Sequence, residues 1–188
     1  LALIKNLYSK EQTIKFKTEA IDASNSFIES GGKFDDNSIF ISHAFTYNKI
    51  FLEIASNEFI CQVIEESIGD SIGFLNTSLA NRSILDNNKS NNLGAGTTWH
   101  TDSKYIQRGK VRLNHGFSYI AFFCMDDFTM NSASTKYVPG SHLLTNRPAR
   151  KLNESQYKIN QIEAEAGDVF IIDSGVWHCA GEPSKLSR

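Results

Sequence analysis

The hydrophobic pattern of this chain changes period at Gly69. Before it, residues 9–30, SKEQTIKFKTEAIDASNSFIES, space Ile14, Ala20, Ile21, Phe27 and Ile28 among polar residues as a helix face does. Ser9 followed by Gln12 makes a capping box, and Gly31-Gly32 stops the helix. Residues 47–68 predict one or two further helices with Phe51, Ile54, Phe59, Val63 and Ile64 on the apolar face. After Gly69 come short strand-like runs, SIGFLNTSLA, GFSYIAFFCM, TKYVPG and DVFIIDSGVWH, separated by Gly-, Asn- and Pro-rich turns. Helices followed by many short strands imply an α+β chain. The helical part covers about 1–68 and packs against a β core over about 70–188, a sandwich or barrel such as a jelly roll.

A length of 188 residues suits a single domain with a real core, and no repeat or linker divides it. The net charge of −2, without a basic cluster, argues against a nucleic-acid or anionic-membrane partner. No apolar run approaches the roughly 20 residues that span a bilayer, and the opening LALIKNLYSKEQ lacks the layout of a signal peptide. Cys61, Cys124 and Cys179 show no paired spacing, so the expected setting is reducing and cytoplasmic. On that expectation the sequons NTS and NRS are accidents of an asparagine-rich chain. Nothing in the sequence indicates an oligomeric state.

The stretch TTWHTDSKY, residues 97–105, carries the chemistry. With five histidines and 21 acidic residues in 188, about half a His-x-Asp or His-x-Glu pairing is expected by chance, so His100-Thr101-Asp102 decides nothing alone. In an extended segment, however, both side chains project to one face. They then need one more imidazole to form the two-histidine, one-carboxylate facial triad that binds non-haem Fe(II) and leaves open positions. His115, His142 and His178 lie downstream. His178 is the best placed. A turn at Gly167-Asp168, a buried run Val169–Ile172 and a second turn at Ser174-Gly175 present it on a rigid scaffold. His142 ends the tight P-G-S-H turn, where it has a supporting role as an alternative; His115 suits the surface, and His43 has no partner in sequence.

Arg188 follows His178 by ten residues. A strand leaving the Pro183-Ser184 turn would run back beside His178 and bring the guanidinium into the same pocket. There it grips a carboxylate bidentately, as an anchor for a dicarboxylic cosubstrate; elsewhere it is a solvated surface residue. Asn76 and Arg82, on the strand-like stretch before the polar loop 85–96, are candidate substrate contacts or solvated strand residues. The loop itself is either a lid or a surface connection.

Taken in order, WHTD, DDFTMNSASTKYVPGSH, AGDVFIIDSGVWHCAG and Arg188 resemble the phytanoyl-CoA dioxygenase family of Fe(II)/2-oxoglutarate oxygenases. The resemblance covers about residues 97–188, and LIKNLYSKEQ is similar to the family's opening. It implies a double-stranded β-helix, the cupin-like jelly roll. His100, Asp102 and His178 would be the iron ligands, Arg188 would hold the far carboxylate of 2-oxoglutarate, and Thr135 would be a further cosubstrate contact. It implies an oxidation, hydroxylation above all, of a small molecule by O2, with release of succinate and CO2. Retention of Asp102 sets the chain apart from related halogenases, which carry a small residue there. Where the family often has E-N-G, this chain has Asn131-Ser132-Ala133, and family members continue beyond the position of Arg188 with at least one more strand. The resemblance therefore implies a C-terminal segment beyond the sequence.

Two other readings compete. A zinc hydrolase could use the same three ligands with a bound water, but it would need a nearby general base and has no use for Arg188. A non-catalytic sensor or interaction protein could keep the fold and bind metal or 2-oxoglutarate.

Overall fold

The computed structural model describes residues 1–33, 38–82, 98–102, 118–144 and 146–181; of Ser38, Asn81 and Arg82 it describes the backbone. The polar loop 85–96, His115 and Arg188 lie outside the described residues. The chain divides into two compact units, residues 9–95 and residues 1–8 with 96–188.

The 9–95 unit contains the helices. Helix α1 spans Lys10–Glu29 and begins with the capping box: the Gln12 amide donates to Ser9 Oγ, and the Ser9 amide to Gln12 Oε1 at 2.9 Å. At its end Gly31 turns to φ +90, and the Gly32 amide closes on the Phe27 carbonyl. The predicted helical region 47–68 is two helices, α2 (Ile50–Ala55) and α3 (Glu58–Ile68). They are separate because Asn57 caps α3, its side chain accepting from the Ile60 amide, and Gly69 ends α3 at φ +79. The unit also holds an antiparallel pair that the sequence pattern does not announce, β2 (Ser38–Ser42) with β3 (Ser78–Arg82). Of the run SIGFLNTSLA only its last three residues are strand.

The other unit is two three-stranded antiparallel sheets. One has the order β1 (Ala2–Ile4), β7 (Val169–Asp173), β4 (Tyr119–Phe123). The second has the order β6 (Asn160–Gln161), β5 (Thr135–Tyr137), β8 (His178–Ala180). The sheets face one another across an apolar cluster of Cys124, Ile162, Ala164, Phe170 and Ile172, joined by Ile120, Phe122, Phe128 and Tyr137. Phe122 and Phe170 stack there at 4.4 Å between centroids. A second cluster of Trp99, Val138, Trp177 and Cys179 covers the opposite face of the β5–β8 sheet. Strand β7 is buried along Val169–Ile172, as a central strand with two partners should be.

The chain's first residues belong to this unit and not to the helices. β1 pairs with β7, and the Asn6 amide donates to Asp168 Oδ1 at 2.8 Å. The other carboxylate oxygen of Asp168 accepts from the Glu165 amide at 2.9 Å. This fully buried aspartate thus ties the turn before β7 to the N-terminal segment. Among the described residues no helix is long and apolar enough to cross a membrane.

Candidate metal centre

His178 opens β8, and its neighbours are set by strand register. Its amide and carbonyl both bond those of His100 at 3.0 Å, an isolated antiparallel bridge. Two residues on, the Asp102 amide donates to the Ser174 carbonyl at 3.0 Å. The segment carrying His-x-Asp is therefore laid beside the turn and strand that carry His178. The P-G-S-H turn supports them from the other side. Gly140 supplies φ +76, and the buried Ser141 hydroxyl donates to the Val138 carbonyl and accepts from the Trp177 amide at 2.8 Å.

The three side chains converge. Asp102 Oδ2 lies 3.4 Å from His178 Nε2 and Oδ1 lies 3.7 Å from His100 Nε2. The imidazole centroids are 4.4 Å apart. Among the described residues these form the one group of three or more His, Cys, Asp or Glu side chains with converging ligand atoms.

Each imidazole is also oriented from behind. His178 Nδ1 is 2.8 Å from the Val176 carbonyl and His100 Nδ1 is 2.7 Å from the Thr98 carbonyl. A carbonyl only accepts, so each ring donates from Nδ1, and Nε2 is the nitrogen that faces Asp102. That is the arrangement by which outer partners fix the tautomer of a metal-binding histidine. Two neutral imidazoles and a carboxylate on one face suit a divalent transition metal. Access is one-sided: the His178 side chain is 5% exposed, while His100 is 35% and Asp102 50% exposed.

The remaining candidates fall as follows. His142 sits in the one-turn helix Ser141–Leu143 and is not part of the group. Thr135 is buried, pairs with Ala180, and shares a sheet face with Tyr137 and His178 by strand alternation. Asn76 lies in the 9–95 unit, where its Oδ1 accepts from the His43 amide and its Nδ2 donates to Ser42 Oγ. The Arg82 side chain, His115 and Arg188 lie outside the described residues. Sequence reasoning passed over Ser141 and Asp168, whose side chains hold the scaffold; the P-G-S-H and G-D motifs contain them. Asn131-Ser132-Ala133 stands where the family often has E-N-G. Ala133 there adopts φ +60, the left-handed region where the family's glycine is at ease.

A family model described as phytanoyl-CoA dioxygenase (PhyH) matches residues 3–188. The chain belongs to the phytanoyl-CoA dioxygenase family. No curated protein sequence matches significantly. Solved structures of similar fold include the epimerase SnoN in complex with Fe3+, alpha-ketoglutarate and nogalamycin RO. It is 16% identical, with a TM-score of 0.71 over 98% of this chain and 73% of SnoN. The non-haem alpha-ketoglutarate-dependent carbocyclase SnoK from nogalamycin biosynthesis is 16% identical, at a TM-score of 0.67 over 99% of this chain and 74% of SnoK. HygX from Streptomyces hygroscopicus, with nickel, 2-oxoglutarate and hygromycin B bound, is 13% identical, at 0.67 over 96% and 76%. At these identities the likeness is one of fold. Phytanoyl-CoA dioxygenase membership and these neighbours place the chain among Fe/2-oxoglutarate-dependent oxygenases.

Proposed function

We propose that this protein is a non-haem Fe(II)- and 2-oxoglutarate-dependent dioxygenase that oxidises a small molecule with release of succinate and CO2. The two facing sheets would be the core of a double-stranded β-helix, and the two units would act as one catalytic domain. His100, Asp102 and His178 would hold the iron. The observation that carries the reading is the convergence of these three groups with both Nε2 atoms turned inward by their Nδ1 bonds. A dioxygenase needs exactly one metal face filled by protein and the other left for ligands, and the exposure gradient across the triad is of that kind.

Bound iron and 2-oxoglutarate would supply the oxidising power, activating O2 for attack on an unactivated C–H bond. The chain's own part is positioning and exclusion of water. His178 is buried, with the Phe122 ring near-perpendicular to it at 6.4 Å between centroids, so the protein's side of the site is shielded by an apolar ring. Arg188 would clamp the far carboxylate of 2-oxoglutarate, and Thr135, on the His178 face of the sheet, would add a hydroxyl. Asn76 and Arg82 are the proposed substrate contacts of the 9–95 unit. SnoN is an epimerase and SnoK a carbocyclase, so the pose of the substrate, not the metal site, would set the outcome; hydroxylation is the outcome we propose.

The test is succinate formation from 2-oxoglutarate by iron-loaded protein, screened against a library of small metabolites and followed by product analysis. Substrate-stimulated succinate that needs iron and vanishes on chelation is the expected result. Metal and 2-oxoglutarate binding without turnover on any compound would mark a sensor. Zinc-supported hydrolysis without succinate would mark a hydrolase.

A further inference from the structure

A positively charged strap runs along the edge of the His-x-Asp segment. His100 bonds His178 through both its amide and its carbonyl. By strand alternation the amide of Trp99, one residue earlier, points the opposite way, and it donates to the Arg150 carbonyl at 3.3 Å. Arg150 is therefore the next neighbour of the segment on the side away from His178. At the strap's other end the Asn146 carbonyl accepts from the Trp177 indole Nε1 at 3.2 Å. Residues 146–151 are thus pinned at two points, each to the residue that precedes a histidine of the triad, and Pro148 fixes one φ between them.

The charge of the strap runs against that of the chain. The protein carries a net −2, yet residues 128–153 contain Lys136, Arg147, Arg150 and Lys151 and no aspartate or glutamate. The first acid beyond them, Glu154, is taken by Lys136 at 3.6 Å. Arg147, Arg150 and Lys151 are exposed, and among the described residues no carboxylate pairs with them. Cations on a loose chain are ordinary solvated charges. These three stand on backbone that is held, along the exposed edge of the triad, where the His100 and Asp102 side chains are 35% and 50% exposed against 5% for His178. Fixed cations beside an open mouth raise the local concentration of anions, and little ordering is left to lose on binding. The two guanidiniums offer planar forks that match a phosphate. Three cations are too few to track a nucleic-acid backbone and suffice for the roughly two charges of one phosphate monoester.

Resting on the dioxygenase reading above, we infer that Arg147, Arg150 and Lys151 bind a phosphate group of the small molecule that is oxidised and hold it at the His100 edge of the metal centre. The strap then sets the class of substrate, and the triad the chemistry.

The first test needs no turnover. The protein's two tryptophans, Trp99 and Trp177, both bond the strap, so their fluorescence reports what binds there. With Ni(II) and 2-oxoglutarate in place, glucose 6-phosphate, glucuronate and glucose are titrated in turn. Glucose 6-phosphate should bind, and bind less well as NaCl is raised; glucuronate should bind only weakly and glucose not at all. The triple variant Arg147→Ala, Arg150→Ala, Lys151→Ala should weaken glucose 6-phosphate roughly tenfold or more while Ni(II) and 2-oxoglutarate affinities stay unchanged. Arg150→Lys should lose less, since it keeps the charge and gives up only the fork. No response to glucose 6-phosphate, equal affinity in the triple variant, or glucuronate or glucose binding as tightly overturns the inference. In the metabolite screen the compounds that stimulate succinate formation should carry a phosphate group, and the triple variant should raise their KM with kcat little changed; a neutral best substrate also overturns it. If the triple variant loses glucose 6-phosphate but no compound yields succinate with the unaltered protein, the dioxygenase reading falls while the phosphate site stands.

Discussion

Asp102 is fastened to the turn before His178 by its backbone: its amide donates to the Ser174 carbonyl at 3.0 Å, while its carboxylate, half exposed, reaches toward both imidazoles. Backbone and side chain therefore do separable jobs, one docking the His-x-Asp segment and the other offering an oxygen.

This separation makes Asp102→Gly a clean probe. The main-chain bond to Ser174 survives and the carboxylate goes. Thermal stability should change by less than about 1 kcal/mol, as for an exposed side chain, while iron- and 2-oxoglutarate-dependent turnover is abolished. The vacated position opens to an anion, but efficient halogenation is not expected, since chloride also needs shaped surroundings. Full turnover in Asp102→Gly would remove Asp102 from the ligand set.

His178 and His142 separate the two downstream candidates. Loss of outer partners alone commonly costs 10–100-fold in metal affinity, so His178→Ala should lower it by roughly 100-fold or more. His142→Ala should lower it far less, because His142 stands outside the converging group. Equilibrium dialysis of both variants against Fe(II) or Ni(II) decides; the reverse order would mean the wrong histidine has been chosen.

Gly181 follows β8 under tight constraint. Its amide donates to the Ser134 carbonyl at 2.9 Å, and a Cβ on it would stand 2.6 Å from that same oxygen. Gly181→Ala must push backbone against backbone and shift the strand that begins at His178. We expect a loss of about 2–3 kcal/mol in stability, with metal affinity falling in step. Gly140→Ala is the comparison: a Cβ there meets nothing within 4 Å, but φ is +76. It should cost about 1 kcal/mol through backbone strain alone. Denaturant titration of the two variants reads the difference, and equal costs would refute the close-contact account.

Burial pushes the Cys124 thiol up to about 12, with the charges of Asp168 and Asp127 adding to the effect. Because the folded-state value lies above the unfolded one, the fold favours the protonated thiol. Its contribution is complete below the ordinary thiol value of 9.0 and is lost progressively as pH rises from there toward about 12. Cys124→Ala should flatten that part of the stability curve in denaturation measured from pH 8 upward. At neutral pH a maleimide should modify Cys61, which is partly exposed, well before Cys124 or Cys179, both buried. First labelling at Cys124 would contradict this environment.

Much of this protein is legible in its linear order. Ser9 with Gln12 and Gly31-Gly32 mark α1 to within a residue because capping is local chemistry, complete within one turn of chain. Gly69 marks the end of α3 for the same reason. W-H-T-D, P-G-S-H and the G-D strand before His178 could be ordered into a family pattern because each motif is a short turn or strand end. Other features depend on partners far along the chain. β1 reads locally as an extension of the helical third, yet it pairs with β7, and Asn6 meets Asp168 across 162 positions. The β2–β3 pair joins segments about 40 residues apart with no shared motif. Which residue faces His178 is a matter of register, and a slip of one would turn Tyr137 outward. The sequence alone determined which residue types are present and which short segments can hold them. The tertiary structure alone decided that His100 and His178 bond each other's backbones, that their Nδ1 atoms point at Thr98 and Val176, and that Tyr137 stands beside them, because cross-strand pairing is chosen by burial of the whole sheet face and not by any local stretch of chain.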